Sequence, residues 1–361
     1  GGDLLPWNSV SGDTARIPSH RLSFLTDDGD YDDIKADKKH SKFMLSNPPR
    51  VHWCAVGNKY FCSILAGETP FTLFQAQEWT SDAKPAPVIA AGAAFGSIDL
   101  APQTTKTLAF RYYCGPKILD QLKDFSPSAD RVMHLAWGPL DYLARLLLWL
   151  LVKMNALFHS YGISIIALTL IVRLVFYPVT AKANNSMKKM QVVQPKLKEL
   201  REKYKDNPQL MNTKMMELYR QEGVNPFGGC LPILFQIPIF FALYQMLDGA
   251  IQLRQESFLW CFDLAKADTV ARIPLYFASL PINPLVIAMT VLMLIQQKLT
   301  PTVGDPAQRK MMMIMPIAML LFLYDLPSGL TLYWTISNAF SIAQMQIQKR
   351  QSTAVTASAG K

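Results

Sequence analysis

After residue 160 the chain returns five times to long runs that carry almost no charge. The runs are 162–180, whose one charge is Arg173, then 226–247, 283–297, 311–326 and 329–347, where the one charge is Asp325 near the end of the fourth. A helix needs roughly 20 residues to cross a hydrocarbon core. The pattern predicts an all-α membrane core of five transmembrane helices over about 162–180, 226–247, 283–299, 311–326 and 329–347. An apolar stretch from Ile273 extends the third upstream. The last two are short, which thins the surrounding bilayer or confines them to the inside of a bundle. Asp325-Leu326-Pro327-Ser328-Gly329 joins them as a tight turn, because Pro stops a helix and Gly permits the reversal.

Charge divides the chain at the same place. Residues 1–136 hold 14 Lys/Arg and 15 Asp/Glu, and residues 137–361 hold 22 and 12, so the basic excess belongs to the apolar half. Within that half, the connection 181–225 has 10 basic and 5 acidic residues, whereas 248–272 on the other side has 3 and 4. The positive-inside rule then makes the long connection and the tail 351–361 cytoplasmic. The domain 1–136 becomes external, which is periplasmic in a bacterium. Segment 137–161 sets Leu140, Leu143, Leu147 and Met154 against Asp141, Arg145, Lys153 and Asn155, the pattern of a helix lying in the interface. In 181–225, Met187, Met190, Val193 and Leu197 recur at helical spacing, as do Met211 and Met215 after the Asn207-Pro208 start signal. This predicts a helical hairpin with a Met-rich seam. Flexible Met side chains suit surfaces that take varied apolar partners, so Met187, Met190, Met211 and Met215 are candidate contacts for such partners.

The front half reads as β. Short apolar or alternating runs at 51–56, 60–65, 71–77 and 107–113 are separated by Gly, Pro, Asn and Asp clusters. A β-sandwich, incomplete at its start, is expected, with the acidic stretch 27–33 as a solvated loop. The start Gly1-Gly2-Asp3 lacks an initiator Met and a signal peptide and reads as a fragment or a processed product. Cys54, Cys62, Cys114, Cys230 and Cys261 form no CxxC pair, so no metal or redox motif is present. Cys54 and Cys62 bridge if they share neighbouring strands, and otherwise pack as small apolar residues. His20, His40, His52 and His134 default to surface or packing roles. There is no GxSxG, Walker, GxGxxG or HExxH sequence, hence no sign of an enzyme, a cofactor or a nucleotide.

Arg173 is the sharpest chemical feature. A mid-span Arg costs about 2.5–3.5 kcal/mol on insertion scales. No Asp or Glu lies inside any of the five runs to pair with it. Snorkelling to the interface is one solution. A wet cavity open to the cytoplasm is the other, lined by Thr169, Gln236, Gln297, Ser337, Asn338, Ser341 and Gln344 with Trp334 and Thr331 above.

These residues fall in a series of motifs. Ile171-Val172-Arg173 precedes Tyr177-Pro178. Then come Met187-Lys188-Lys189-Met190, Gln194-Pro195-Lys196, and Asn225-Pro226-Phe227-Gly228-Gly229-Cys230-Leu231-Pro232 running into Gln236-Ile237-Pro238. Gln297-Lys298-Leu299-Thr300-Pro301, Met315-Pro316 and Pro327-Ser328-Gly329-Leu330-Thr331-Leu332-Tyr333-Trp334 follow. Over 137–350 this series resembles the core of the YidC/Oxa/Alb membrane protein insertase family. The β-rich front is similar to the end of the periplasmic sandwich of Gram-negative members, with the amino-terminal anchor missing. The resemblance implies a multi-pass protein of the bacterial inner membrane. It implies a hydrophilic groove open to cytoplasm and lipid, with Arg173, Thr169 and Gln236 at its conserved positions. Where many members have Tyr-Tyr, this chain has Tyr333-Trp334. The implied function is insertion of nascent membrane proteins. The implied partners are the ribosome, the lipid bilayer, a Sec-type translocon and a signal-recognition receptor, with no DNA. A small-solute transporter or channel is the alternative, and it predicts paired intramembrane charges or inverted repeats, neither of which is visible.

Overall fold

The computed structural model describes residues 21–35, 42–44, 50–81, 84–224, 231–274, 279–299 and 306–359. The chain separates into two compact units, 1–134 and 135–361. In the first, β1 (Arg21–Thr26), β2 (Tyr31–Lys35), β4 (Val51–Gly57), β5 (Phe61–Phe71) and β8 (Phe110–Pro116) form an antiparallel sheet in the order β2-β1-β4-β5-β8. A second sheet has the order β3-β6-β7, from β3 (Lys42–Met44), β6 (Leu73–Ser81) and β7 (Lys84–Ala94). Alternation puts Leu22, Phe24, Cys54, Val56 and Phe71 on one face of the large sheet, where they meet Phe74, Ala91 and Ala93 of the small one. The opposite face is covered by the chain after β8, which contains α1 (Leu119–Phe125) and buries Leu122, Val132 and Met133. Trp53, fully buried, donates its indole N–H to the carbonyl of Pro127 at 3.2 Å.

The acidic stretch 27–33 departs from expectation. Only 27–29 turn, and Tyr31–Lys35 is a paired strand, with Ile34 opposite Leu22 and Asp33 opposite Ser23. Cys54 and Cys62 lie on neighbouring strands but out of register: Cys54 faces Leu65 and Cys62 faces Gly57. Both are free thiols, and burial pushes each up to about 12. Cys230, His20 and His40 fall outside the described residues.

The second unit holds α2 (Leu140–Phe158), α3 (Tyr161–Val175), α4 (Tyr177–Lys203), α5 (Pro208–Gln221), α6 (Leu231–Gly249), α7 (Pro284–Leu299), α8 (Pro306–Leu323) and α9 (Ser328–Ala359). α9 is central, touching α3, α6 and α7, while α2 packs on α3 and α6. α2 buries Ala144, Leu147, Leu148 and Leu151 and leaves Tyr142, Leu146, Trp149 and Leu157 exposed, so it carries apolar surface on both sides. Asp141 and Arg145 pair one turn apart at 2.5 Å.

Three boundaries differ from the sequence reading. The first run does not continue to 180: the helix breaks at Phe176 and resumes at Tyr177, which puts Pro178 in a first turn, where its missing N–H leaves no helical bond unmade. Together α3 and the start of α4 (Tyr177–Met190) are long and apolar enough for a crossing, but they bend by 60°. No single helix among the described residues meets that measure. The hairpin therefore begins at 177, not 181. The stretch from Ile273 does not lengthen α7. It forms an antiparallel pair, β9 (Ala271–Pro274) with β10 (Ser279–Ile282), since Pro281 and Pro284 cannot supply the N–H groups of a helix interior. Finally, α9 runs on to Ala359, well into the expected tail.

Candidate functional site

Arg173 lies in the last turn of α3, and Ser337 faces it from α9. The guanidinium Nε donates to Ser337 Oγ at 2.7 Å, and an Nη does the same. One turn before Ser337, Tyr333 points the same way, and its hydroxyl accepts from Gln236 Nε2 of α6 at 3.1 Å. Three helices thus converge on one polar contact set within an apolar bundle. A neutral hydroxyl accepts the hydrogen bonds of the cation but leaves its charge uncompensated. Among the described residues, no carboxylate pairs with Arg173.

Arg173, Gln236, Thr180, Val172, Phe176, Val179 and Ile239 line a narrow recess with room for about one water molecule. The other expected groove residues part ways. Thr169 is fully buried, and its hydroxyl donates to the Ile165 carbonyl of its own helix at 2.6 Å. Ser341 likewise bonds back to the Ser337 carbonyl at 3.0 Å. Both use the i−4 carbonyl, which competes with any outward partner. Trp334 turns away from Arg173 and packs on Phe240, with ring centroids 4.8 Å apart, beside Val286, Met289 and Leu323. Gln297 is not among the residues lining the recess. Asn338 is buried, and its Nδ2 has no partner among the described residues.

A second polar element joins Gln344, which the sequence reading places in the cavity, to partners on α4 that the sequence reading does not single out. Thr180 Oγ1 accepts from Gln344 Nε2 at 3.0 Å, Asn184 Nδ2 donates to Gln348 Oε1 at 3.1 Å, and Lys188 Nζ donates to the Gln348 carbonyl at 3.1 Å. This ladder ties α4 to α9 along the side that continues from the recess. Positions 180, 184 and 188 matched with 344 and 348 are the signal, visible only once α4 starts at 177 and α9 passes 347.

In the hairpin, Met190, Val193, Leu197 and Val224 form a buried cluster with Met215, Leu218 and Tyr219 against it. Met190 and Met215 therefore hold the two helices together. Met187 and Met211 are half-buried, and the well-exposed apolar residues are Met216, Val192 and Leu210.

A family model described as 60Kd inner membrane protein matches residues 153–355, more than half of the chain. The chain belongs to that family. The match begins inside α2 and takes in α3, the hairpin and the helices that hold Gln236, Tyr333 and Ser337. A second model, the YidC periplasmic domain, matches residues 11–150. Curated relatives carry the name membrane protein insertase YidC. That of Syntrophobacter fumaroxidans is 44% identical over 66% of this chain and 43% of that protein. That of Geobacter metallireducens is 41% identical over 81% of this chain and 51% of that protein. That of Francisella philomiragia is 36% identical over 87% and 53%. The chain spans about half the length of these relatives. A crystal structure of an active YidC insertase with its first transmembrane domain resolved is similar at TM-score 0.48 and 19% identity, over 89% of this chain and 82% of that one.

Proposed function

We propose that the chain inserts membrane proteins into the bacterial inner membrane, and that the contact set around Arg173 receives the polar part of a client. The observation that carries this reading is the guanidinium itself. Among the described residues its hydrogen-bond partner is Ser337, on the border of a recess, in a bundle that exposes many apolar side chains. A cation satisfied by a hydroxyl rather than a carboxylate can exchange that partner for an incoming acid or amide at low cost. A client's acidic or polar segment takes the place of Ser337, and its apolar helix moves into lipid beside the bundle. The recess widens in the process, because one water's volume does not admit a peptide. The bend at Phe176 and the ladder between α4 and α9 are where α4 can swing away. Partitioning of the client's apolar helix supplies the driving force, so no catalytic chemistry is assigned.

In this reading α3, α6, α7, α8 and α9 are the five crossings, the hairpin and the carboxy terminus are cytoplasmic, and the β unit is periplasmic. Nascent membrane proteins, the ribosome, a Sec-type translocon and a signal-recognition receptor are the partners. The test is insertion of a single-span client with an acidic external segment into vesicles carrying the protein. Arg173→Ala lowers insertion about tenfold, the size of one lost charge-assisted contact of roughly 1.4 kcal/mol, and Arg173→Lys retains most of it. Unchanged insertion by Arg173→Ala removes the cation from the mechanism.

A further inference from the structure

The connection between α6 and α7 is built around a tight turn, 258–261. Phe258 N–H donates to the Cys261 carbonyl at 2.8 Å, and Cys261 N–H returns to the Phe258 carbonyl at 2.9 Å. Leu259 at its apex has φ +54°, a conformation normally left to Gly or Asn. A bulky residue is held there only when its surroundings over-determine it.

Those surroundings are three helix ends. The Phe258 ring lies so close on Gly162 of α3 that a Cβ there would stand 2.0 Å from it. Asp268, buried, accepts the first-turn N–H of Leu285 in α7 at 2.6 Å and the indole N–H of Trp260 at 3.1 Å. The carbonyls of Lys266 and Leu264 accept the N–H groups of Ser328 and Gly329 at the start of α9, at 2.6 and 2.9 Å. The segment thereby satisfies orphan N–H groups of two helices and is fixed to a third. From this frame two large apolar side chains project outward: Leu259 is 73% and Phe262 83% exposed. Trp260 lies between them, half-exposed with its N–H tied down, and Ile273 and Leu280 are exposed on the adjoining β9–β10 pair, with Val270 exposed just before it.

We propose that this turn is a rigid wedge that places Leu259 and Phe262 in the outer leaflet of the bilayer, at the boundary of headgroups and acyl chains. The proposal rests on the topology given above. The occupant is argued from continuity. The wedge meets the bundle where Ile163 of α3 and Ile287 of α7 are exposed, and exposed apolar residues continue along both helices through Leu170 and Leu174 and through Val291 and Leu294. In an inner-membrane family that surface faces lipid. Gly162 and Arg173 are eleven residues apart, about 16 Å at helical rise, so the wedge stands well away from the recess. Segment 248–272 has 3 basic and 4 acidic residues, so attraction to anionic lipid does not drive the contact. An aromatic with a pinned N–H between two apolar anchors suits the interface, where one end is apolar and the other wet.

The test is photo-crosslinking with a benzophenone amino acid at 259, 262, 256 and 237, using the full chain in phosphatidylethanolamine–phosphatidylglycerol vesicles and scoring adducts by mass spectrometry. Glu256 is an exposed polar neighbour, and Ile237 lies on the exposed face of α6. Lipid adducts at 259 and 262 several-fold above position 256, and unchanged when phosphatidylglycerol is omitted, support the wedge. Adducts at 237 but none at 259 and 262 overturn the wedge and leave the topology standing. No adduct at any position overturns the topology, and the wedge with it. Adducts from 259 or 262 to a second copy or to an added client overturn the lipid assignment.

Discussion

Each unit of the molecule holds an arginine bonded to a serine-bearing neighbourhood, and the two are solved in opposite ways. In the β unit, Arg21 pairs with Asp33, which also accepts from Ser23 Oγ at 3.0 Å and meets His134 Nε2 at 2.9 Å. Tyr31 closes the group through its hydroxyl, 2.8 Å from His134 Nε2. In the helical unit Arg173 has Ser337 and, among the described residues, no carboxylate. The first arrangement cancels charge and fastens β1, β2 and the last residue of the unit, His134, together. The second leaves charge over. A cancelled cation stabilises what it joins, whereas an uncancelled one is available to something else. That difference, rather than the presence of an arginine, marks the site.

The comparison breaks most directly if the helical site is made to resemble the other. Ser337→Asp puts a carboxylate where the hydroxyl stands, neutralising Arg173 in place. Client insertion should then fall by about tenfold, as for Arg173→Ala, although the arginine is intact. Insertion at the normal level in vesicles would mean that free charge at this position is not what the client meets. The converse change is Asp33→Ala, which strands Arg21 and His134 in the β unit. Because Arg21 is partly exposed, the expected cost is about 1–3 kcal/mol rather than the larger penalty of a fully buried pair. Hydrogen exchange of the β1 amides in the full chain measures it, and insertion should change little.

Acid sharpens the same contrast. Burial pushes His134 below its ordinary value, outweighing the raising effect of Asp33. Burial alone would raise Asp33, but the hydrogen bonds and charges of His134 and Arg21 hold it below the usual carboxylate range. Both groups therefore bind protons more readily in the unfolded chain. Stability is complete above the unfolded value of His, about 6.5, and declines as pH falls through the lower folded value, with Asp33 adding its loss in the carboxylate range. Exchange protection of β1 and β2 should drop between about pH 7 and 5 while that of α7 and α9 holds. Equal loss in both units would contradict the assignment.

Legibility followed the same division. Each apolar run overlaps a helix, α3, α6, α7, α8 or α9, because a buried or lipid-facing helix demands continuous apolarity, and Arg173 stood out against that background. Partner choice was less visible. Thr169 and Ser341 share the right face by spacing, yet each satisfies its own backbone, an option that spacing alone does not exclude. Trp334 sits next to Tyr333 in sequence but 100° around the helix, which sends it to Phe240 instead of Gln236. In the β unit, Val51–Gly57 was plain from its β-branched and aromatic content, whereas Tyr31-Asp32-Asp33-Ile34-Lys35 was hidden because Asp is depleted in strands. Its pairing depends on Arg21 and on His134, a hundred residues away.

The smallest effect belongs to the ladder between α4 and α9. Asn184 and Gln348 exchange one neutral hydrogen bond, and such a bond is worth about 0.5–1.5 kcal/mol net. Asn184→Ala leaves Gln348 with the acceptor role of its carbonyl toward Lys188 intact, so the helices stay in contact but the hairpin is held by one rung fewer. Unlike the Arg21 group, this contact involves no charge balance, and it should open first. The expectation is faster amide exchange in 180–190 with no change in β1, and client insertion equal to or slightly above that of the parent chain. Slower insertion from the same variant would mean that the ladder holds α4 where a client needs it, and that the recess is entered without the hairpin moving.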